Sequence, residues 1–179
     1  MIDQAFAGRL LSGERILWQG RPSQGILFIS RDMFVIPFSL LWCGFAIFWT
    51  IGATNTTGGG PFPLFGLLFV CIGLYFVFGR FLVDAWARSS MYYAVTDRRI
   101  LIIRSRPTNS FTALNIAQLS EVDINERADG RGTILFGRPA YGDSRNTTSM
   151  SPAFDHTPQF LAIEDARRVF DLIQKKMAP

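Results

Sequence analysis

The sequence predicts a membrane α+β protein: a two-helix transmembrane hairpin followed by a small antiparallel β domain capped by a C-terminal α-helix. Three observations predict it. Residues Met33–Gly79 run for 47 positions without an Asp, Glu, Lys, Arg or His. Downstream, the hydropathy pattern changes to the period-two alternation of strands. The chain then ends in an amphipathic stripe of helical period.

A bilayer core takes about 20 apolar residues per helix, so one span would strand half of the uncharged run and two spans use all of it. The first, Met33–Ala53, covers roughly 31 Å. The second is Leu64–Val83. Between them Thr54–Pro63 is made of turn and breaker residues, including Gly58-Gly59-Gly60 and two prolines. Pro37 marks an early turn or mild kink, and the stem of Arg80 can snorkel to the headgroups. The competing reading is a hairpin buried in a soluble core. Two such segments side by side in a chain only 18% charged favour the membrane.

The charges orient the spans. Arg9, Arg15, Arg21 and Arg31 precede the first; Arg80, Arg88, Arg98 and Arg99 follow the second; the connecting loop has none. The positive-inside rule places both termini in the cytoplasm and about ten residues outside. The first 32 residues are too long and too polar for the n-region of a signal peptide, and no small-residue cleavage site follows the first span. Three regions result: a cytoplasmic N-terminal segment 1–32, a transmembrane hairpin 33–83 and a cytoplasmic domain 88–177.

Composition excludes several functions. Cys43 and Cys71 both fall inside the spans and build neither a disulfide framework nor a cysteine metal site. The net charge of +4 suits an anionic membrane surface but is too small and too mixed in sign for nucleic acid. No ionisable residue lies deep in either span, which argues against a proton relay or ion path. Gly44 and Gly52, and Gly66 and Gly73, have near-helical spacing. They suit close packing of the hairpin or, as the alternative, a homo-oligomer seam. Trp42 and Trp49 share a face, and Trp49 and Trp86 suit opposite interfacial belts.

In the C-terminal domain, Met91–Val95 reads as a strand, Thr96-Asp97-Arg98 as a turn and Arg99–Ile103 as the returning strand. Phe111–Leu114 is a weaker strand. Ser120–Arg127 alternates, with Val122 and Ile124 on one face. Asp129-Gly130 turns it into Thr133–Phe136. Ile163–Met177 forms the helix, its acidic start (Glu164, Asp165) and basic end (Lys175, Lys176) matching the macrodipole.

Two segments carry a family resemblance. Gly13-Glu14-Arg15-Ile16-Leu17-Trp18-Gln19-Gly20-Arg21-Pro22 precedes the hairpin, and Tyr92-Tyr93-Ala94-Val95-Thr96-Asp97-Arg98-Arg99-Ile100 opens the β domain. The order resembles short bacterial membrane proteins with a pleckstrin-homology-like (PH-like) domain, over about Gly13 to Lys176. The resemblance implies an inner-membrane location and a partly open, seven-stranded β-barrel capped by the C-terminal helix. Five or six strands are legible, so Arg138–His156 or the N-terminal segment must supply the rest. It implies no catalytic signature.

The residues themselves offer little chemistry. His156 is the only histidine, and adjacent Asp155 cannot orient it as a dyad partner. Gly58-Gly59-Gly60 lacks the Lys-Ser/Thr of a phosphate loop. Asp123 and Glu126 have no second acidic cluster for a metal. The triplets Asn55-Thr56-Thr57 and Asn146-Thr147-Thr148 are chance matches to a glycosylation site. The expected protein is therefore not an enzyme and uses no cofactor or metal. Candidate lipid or partner contacts are Arg98, Arg99, Arg104 and Arg106, part of a local cationic group from Arg80 to Arg106, and Tyr141 in the long loop Arg138–Thr157. The favoured expectation is a membrane-anchored protein-interaction or scaffolding module. The alternative is a sensor of anionic headgroups that uses the four arginines.

Overall fold

The uncharged run folds as two apolar helices. In the computed structural model, residues 6, 8–28, 32–57, 62–127, 129–137, 153 and 157–177 are described. Helix α1 spans Asp32–Thr57. Helix α2 (Phe62–Leu74) continues through a π-helical turn (Tyr75–Gly79) into α3 (Arg80–Arg88). Asp32–Asn55 and Leu64–Arg88 are each long and apolar enough to cross a membrane. Both helices outrun their expected ends. Thr54 belongs to α1, where its hydroxyl donates to the Ile51 carbonyl at 2.7 Å, so a threonine read as a loop residue is accommodated within the helix. Pro37 lies inside α1.

Glycines set the closest approach of the two helices. A Cβ on Gly66 would overlap the Thr50 side chain, and one on Gly73 would lie 2.9 Å from the Cβ of Cys43. Gly44 and Gly52 have open space where a Cβ would stand, so only one of the two glycine pairs forms the hairpin seam. Gly66→Val is expected to destabilise the hairpin by about 1–3 kcal/mol through overpacking. Gly44→Ala should stay within about 0.5 kcal/mol of the parent. Unfolding of the full chain in mixed detergent micelles measures both. Trp42, Phe45, Ala46, Trp49 and Phe69 line an open apolar cavity of about 190 Å³ on this hairpin, which places Trp42 and Trp49 on one face as expected.

Arg80 pairs with the first residue of α1. Its Nη1 lies 2.8 Å from Asp32 Oδ1 with both side chains buried, and its guanidinium stacks 4.5 Å from the Phe81 ring centroid. The Asp32 carboxylate at the start of α1 is its charge partner.

A second compact unit comprises residues 1–25 and 84–179, and the hairpin unit comprises 26–83. The N-terminal segment thus joins the β domain, because Ile16–Gly20 is its first strand, β1, bulged between Ile16 and Trp18 and antiparallel to β2 (Met91–Thr96). β3 (Arg99–Arg104) and β4 (Ser110–Asn115) complete a four-stranded sheet of order β1-β2-β3-β4. A short 3₁₀ turn (Ile116–Gln118) leads to β5 (Val122–Glu126), β6 (Gly132–Phe136) and β7 (Gln159–Ile163), a three-stranded antiparallel sheet. Gly130, at φ +78°, closes the β5–β6 turn, the left-handed position that favours glycine.

Among the described residues there are seven strands, yet the two sheets stay separate and do not close into one hydrogen-bonded barrel. Helix α4 (Ala166–Met177) packs on β5 and β6. It starts three residues later than the sequence pattern suggested. Ala162 and Asp165 adopt left-handed backbone, so Ile163 ends β7 and the acidic pair Glu164-Asp165 forms the turn ahead of the helix.

Phe160 of β7 ties the sheets together. It stacks on Tyr93 with ring centroids 4.8 Å apart, meets Phe136 edge-on at 4.9 Å and touches Trp18 at 5.5 Å. Burial pushes the Tyr93 hydroxyl up to about 12, and that hydroxyl accepts the Leu161 N–H. The opposite face of the first sheet is covered by Phe6, which packs on Ala94, Leu101 and Ile103.

Candidate functional site

The two segments that carry the resemblance meet each other. Glu14 Oε2 accepts from Arg99 Nη2 at 2.6 Å and from the Leu11 N–H at 2.7 Å, and its Oε1 accepts from Arg99 Nε at 3.0 Å and the Thr96 hydroxyl at 2.7 Å. Thr96 Oγ1 in turn accepts from the Arg99 N–H at 2.8 Å and closes the β2–β3 turn. Next to this clasp, Asp97 Oδ1 accepts the Arg15 N–H at 3.0 Å and the Asp97 N–H returns to the Arg15 carbonyl at 3.1 Å. The Arg99 guanidinium drops the Glu14 carboxyl from its ordinary 4.5 to about 2, against the burial that would raise it. The same pair raises the pKa of Arg99.

A second buried clasp fixes the residues after β1. Arg88 is fully buried. Its Nε donates to Asp84 Oδ2 at 2.7 Å, and its two Nη atoms donate to the carbonyls of Ser23 and Gly25. Asp84 Oδ1 accepts the Ala153 N–H at 3.1 Å. One planar fork therefore serves three acceptors, which an ammonium could not match. Two further motif residues are engaged. Gly20 leaves room for the Trp18 ring, and Arg21 lies 4.3 Å over the Tyr92 ring.

The four candidate arginines do not form one site. Arg98 and Arg99 sit at the β2–β3 turn. Arg104 ends β3, roughly 17 Å away by strand rise. Arg99 is held by Glu14, whereas the Arg98 side chain is 60% exposed beside Asp97 at 3.9 Å. At the other end, Arg104 donates to the Thr157 carbonyl at 3.2 Å and Arg106 lies 5.3 Å over the half-exposed Trp86 ring. The Ser105 N–H reaches the Ser90 carbonyl at 3.1 Å and seats the loop there.

Arg21 belongs to this end as well, because Tyr92, under its guanidinium, pairs with Ile103 next to Arg104. Sequence reasoning placed Arg21 among the topology charges and in the resemblance segment, but not among the contact residues, since Tyr92 lies about 70 residues downstream. Arg21 over Tyr92 and Arg106 over Trp86 are two separate aromatic-backed guanidinium groups whose N–H donors suit phosphate oxygens. Arg104, which pairs with Met91, lies on the other face of the sheet from Tyr92 and is turned to the Thr157 carbonyl. Tyr141 and His156 lie outside the described residues, as does all of Arg138–Thr157 except Ala153 and Thr157. Among the described residues no group of three or more His, Cys, Asp or Glu is placed to hold a metal ion. No protein-family model, curated protein or solved structure matches the chain.

Proposed function

We propose that this chain is a membrane-anchored adaptor whose two helices cross the bilayer and whose β unit recruits a protein partner, without catalysis of its own. The observation that carries the reading is the outward face of the helices. Met33 is 86% exposed and Phe34, Leu41 and Phe48 are each more than 70% exposed, surface that water does not tolerate at this density and lipid does. The β1–β2 ladder supports the hairpin topology. Two hydrogen-bonded strands share one compartment, so the segment between them crosses an even number of times. The charge distribution then assigns that compartment to the cytoplasm, of the bacterial inner membrane on the family resemblance. On this reading the two sheets and α4 form a PH-like module whose sheets meet through Phe160.

Crosslinking in cells, followed by detergent co-purification, tests the adaptor role. A stoichiometric protein partner lost on shortening 138–157 is the expected result; recovery of the chain alone would sink it. Thiol labelling of single cysteines placed at residues 12 and 58 tests topology, with only the latter reached from outside.

One observation favours a second reading, recognition of anionic headgroups: the two aromatic-backed arginines at this end of the sheet, Arg21 over Tyr92 and Arg106 over Trp86. It moves the lipid contact from Arg98 and Arg99 to the end of the sheet that follows α3 in sequence. Arg21→Glu with Arg106→Glu in the full chain should then abolish enrichment of anionic lipid in the purified protein, while Arg98→Glu should leave it unchanged. Equal loss in both would reject this assignment.

A further inference from the structure

The four sheet edges are guarded unequally. β1 is bulged between Ile16 and Trp18. β7 is bulged opposite Gly132–Ile134 and wholly buried. β5 carries Asp123 and Glu126 and lies against α4. Bulges, charges and covering elements are the devices that keep sheet edges from pairing with other chains. Among the described residues β4 has no bulge, no charge of its own and no covering element beyond the Arg9 guanidinium 5.0 Å over the Phe111 ring on one face. Its six residues, Ser-Phe-Thr-Ala-Leu-Asn, hold no charge and no proline, pair with β3 without a register shift and are largely exposed.

The ladder shows which main-chain groups of β4 point outward. The Ile116 N–H donates to the Arg98 carbonyl at 3.0 Å, which makes Arg98 and Ile116 a hydrogen-bonded pair. In an antiparallel ladder such pairs alternate. Ser110, Thr112 and Leu114 therefore face β3, and Phe111, Ala113 and Asn115 present their N–H and C=O groups away from the sheet.

We infer that β4 is a self-association edge, at which a second copy of this chain pairs antiparallel about a two-fold axis through Ala113. The outward set is symmetric about that residue. The axis sets Ala113 against the partner copy's equivalent and Phe111 against the partner copy's Asn115, so all three outward residues are hydrogen-bonded and opposing positions keep to the same sheet face, as a two-fold requires. The smallest side chain of the strand stands on the axis, and no charge opposes a like charge across the seam. A second copy fits this edge for that reason: the symmetry and neutrality serve an identical strand, and an unrelated peptide gains nothing from them. The inference is independent of the adaptor reading, because it rests on the β unit alone.

A single strand pair is a small seam, so the dimer is expected to be concentration dependent. The test uses the full chain in mild detergent. Ala113→Cys should give a disulfide dimer on gentle oxidation, since the Cα atoms of a hydrogen-bonded antiparallel pair stand about 5.5 Å apart, within disulfide reach. Phe111→Cys alone should not, whereas a mixture of Phe111→Cys and Asn115→Cys chains should. Asn125→Cys on β5, with the native Cys43 and Cys71 in place, is the control. Ala113→Lys should raise the dimer dissociation constant about tenfold or more by opposing like charges across the axis. If that variant fails to fold by circular dichroism, the cysteine register still decides. A parent chain that is monomeric at every concentration, or crosslinking no stronger at Ala113 than at Asn125, overturns the inference.

Discussion

Arg88→Met is expected to destabilise the β unit by about 3–5 kcal/mol, enough to unfold a domain of ordinary stability at moderate temperature. The side chain is fully buried and its fork serves Asp84 and the carbonyls of Ser23 and Gly25. Methionine fills comparable volume, so the loss arises from a buried carboxylate without its cation and two carbonyls without donors. Arg88→Lys should recover only part of it, because one ammonium on a shorter stem does not reach three acceptors in one plane. The double variant Arg88→Met with Asp84→Leu should be more stable than Arg88→Met alone, since removing both charges removes the desolvated remainder. Tryptophan fluorescence during urea unfolding of the full chain in detergent measures all three. Equal stability of Arg88→Met and the parent would show that the clasp contributes nothing.

Glu14→Gln is expected to cost about 2 kcal/mol at neutral pH and to remove an acid-labile step from the parent protein. Glu14 has a folded value near 2 against an ordinary 4.5. That difference corresponds to roughly 3 kcal/mol at neutral pH, and the partial solvent access of Arg99 trims it. A carboxyl with a depressed folded value contributes stability that is fully present above its unfolded value and lost as pH falls through its folded one. The parent should therefore lose this contribution between about pH 4.5 and pH 2, while Glu14→Gln should be flatter across that window. Unfolding free energies at a series of pH values compare the two slopes; parallel curves would mean that the Glu14–Arg99 pair is not the source.

The parts legible in the sequence were those with local signatures. A charge-free run announces apolar helices. Thr96-Asp97-Arg98 and Asp129-Gly130 announce turns between alternating strands, and β2, β3, β5 and β6 lie within a residue or two of their expected positions. The elements left without positions are those defined by distant partners, although the N-terminal segment was one of two stretches expected to supply a strand and does so. β1 shows no clean alternation, and its register depends on β2 beyond the hairpin. β7 is apolar at nearly every position, and Ile163 falls in phase with the stripe of α4, so the last residue of this buried strand was read as the start of the helix and the rest was not placed.

The candidate site suffered from the same blindness. Arg98 and Arg99 look alike as neighbours at a turn, yet one is exposed and the other is clasped by a glutamate 85 positions earlier. Arg88 reads as a topology charge until its two carbonyl acceptors, more than 60 residues upstream, are in place. Charge counting locates cations; only the fold says which are occupied.

The pairing of β1 with β2 also orders the protein's own manufacture. β1 leaves the ribosome first and has no strand to pair with until residues 91–96 follow, after all of α1, α2 and α3. A chain that stalls or is cut between residues 26 and 90 is left with an orphan strand and an N-terminal Phe6 with no sheet to cover. The finished first sheet is thus a record that both apolar helices have been synthesised.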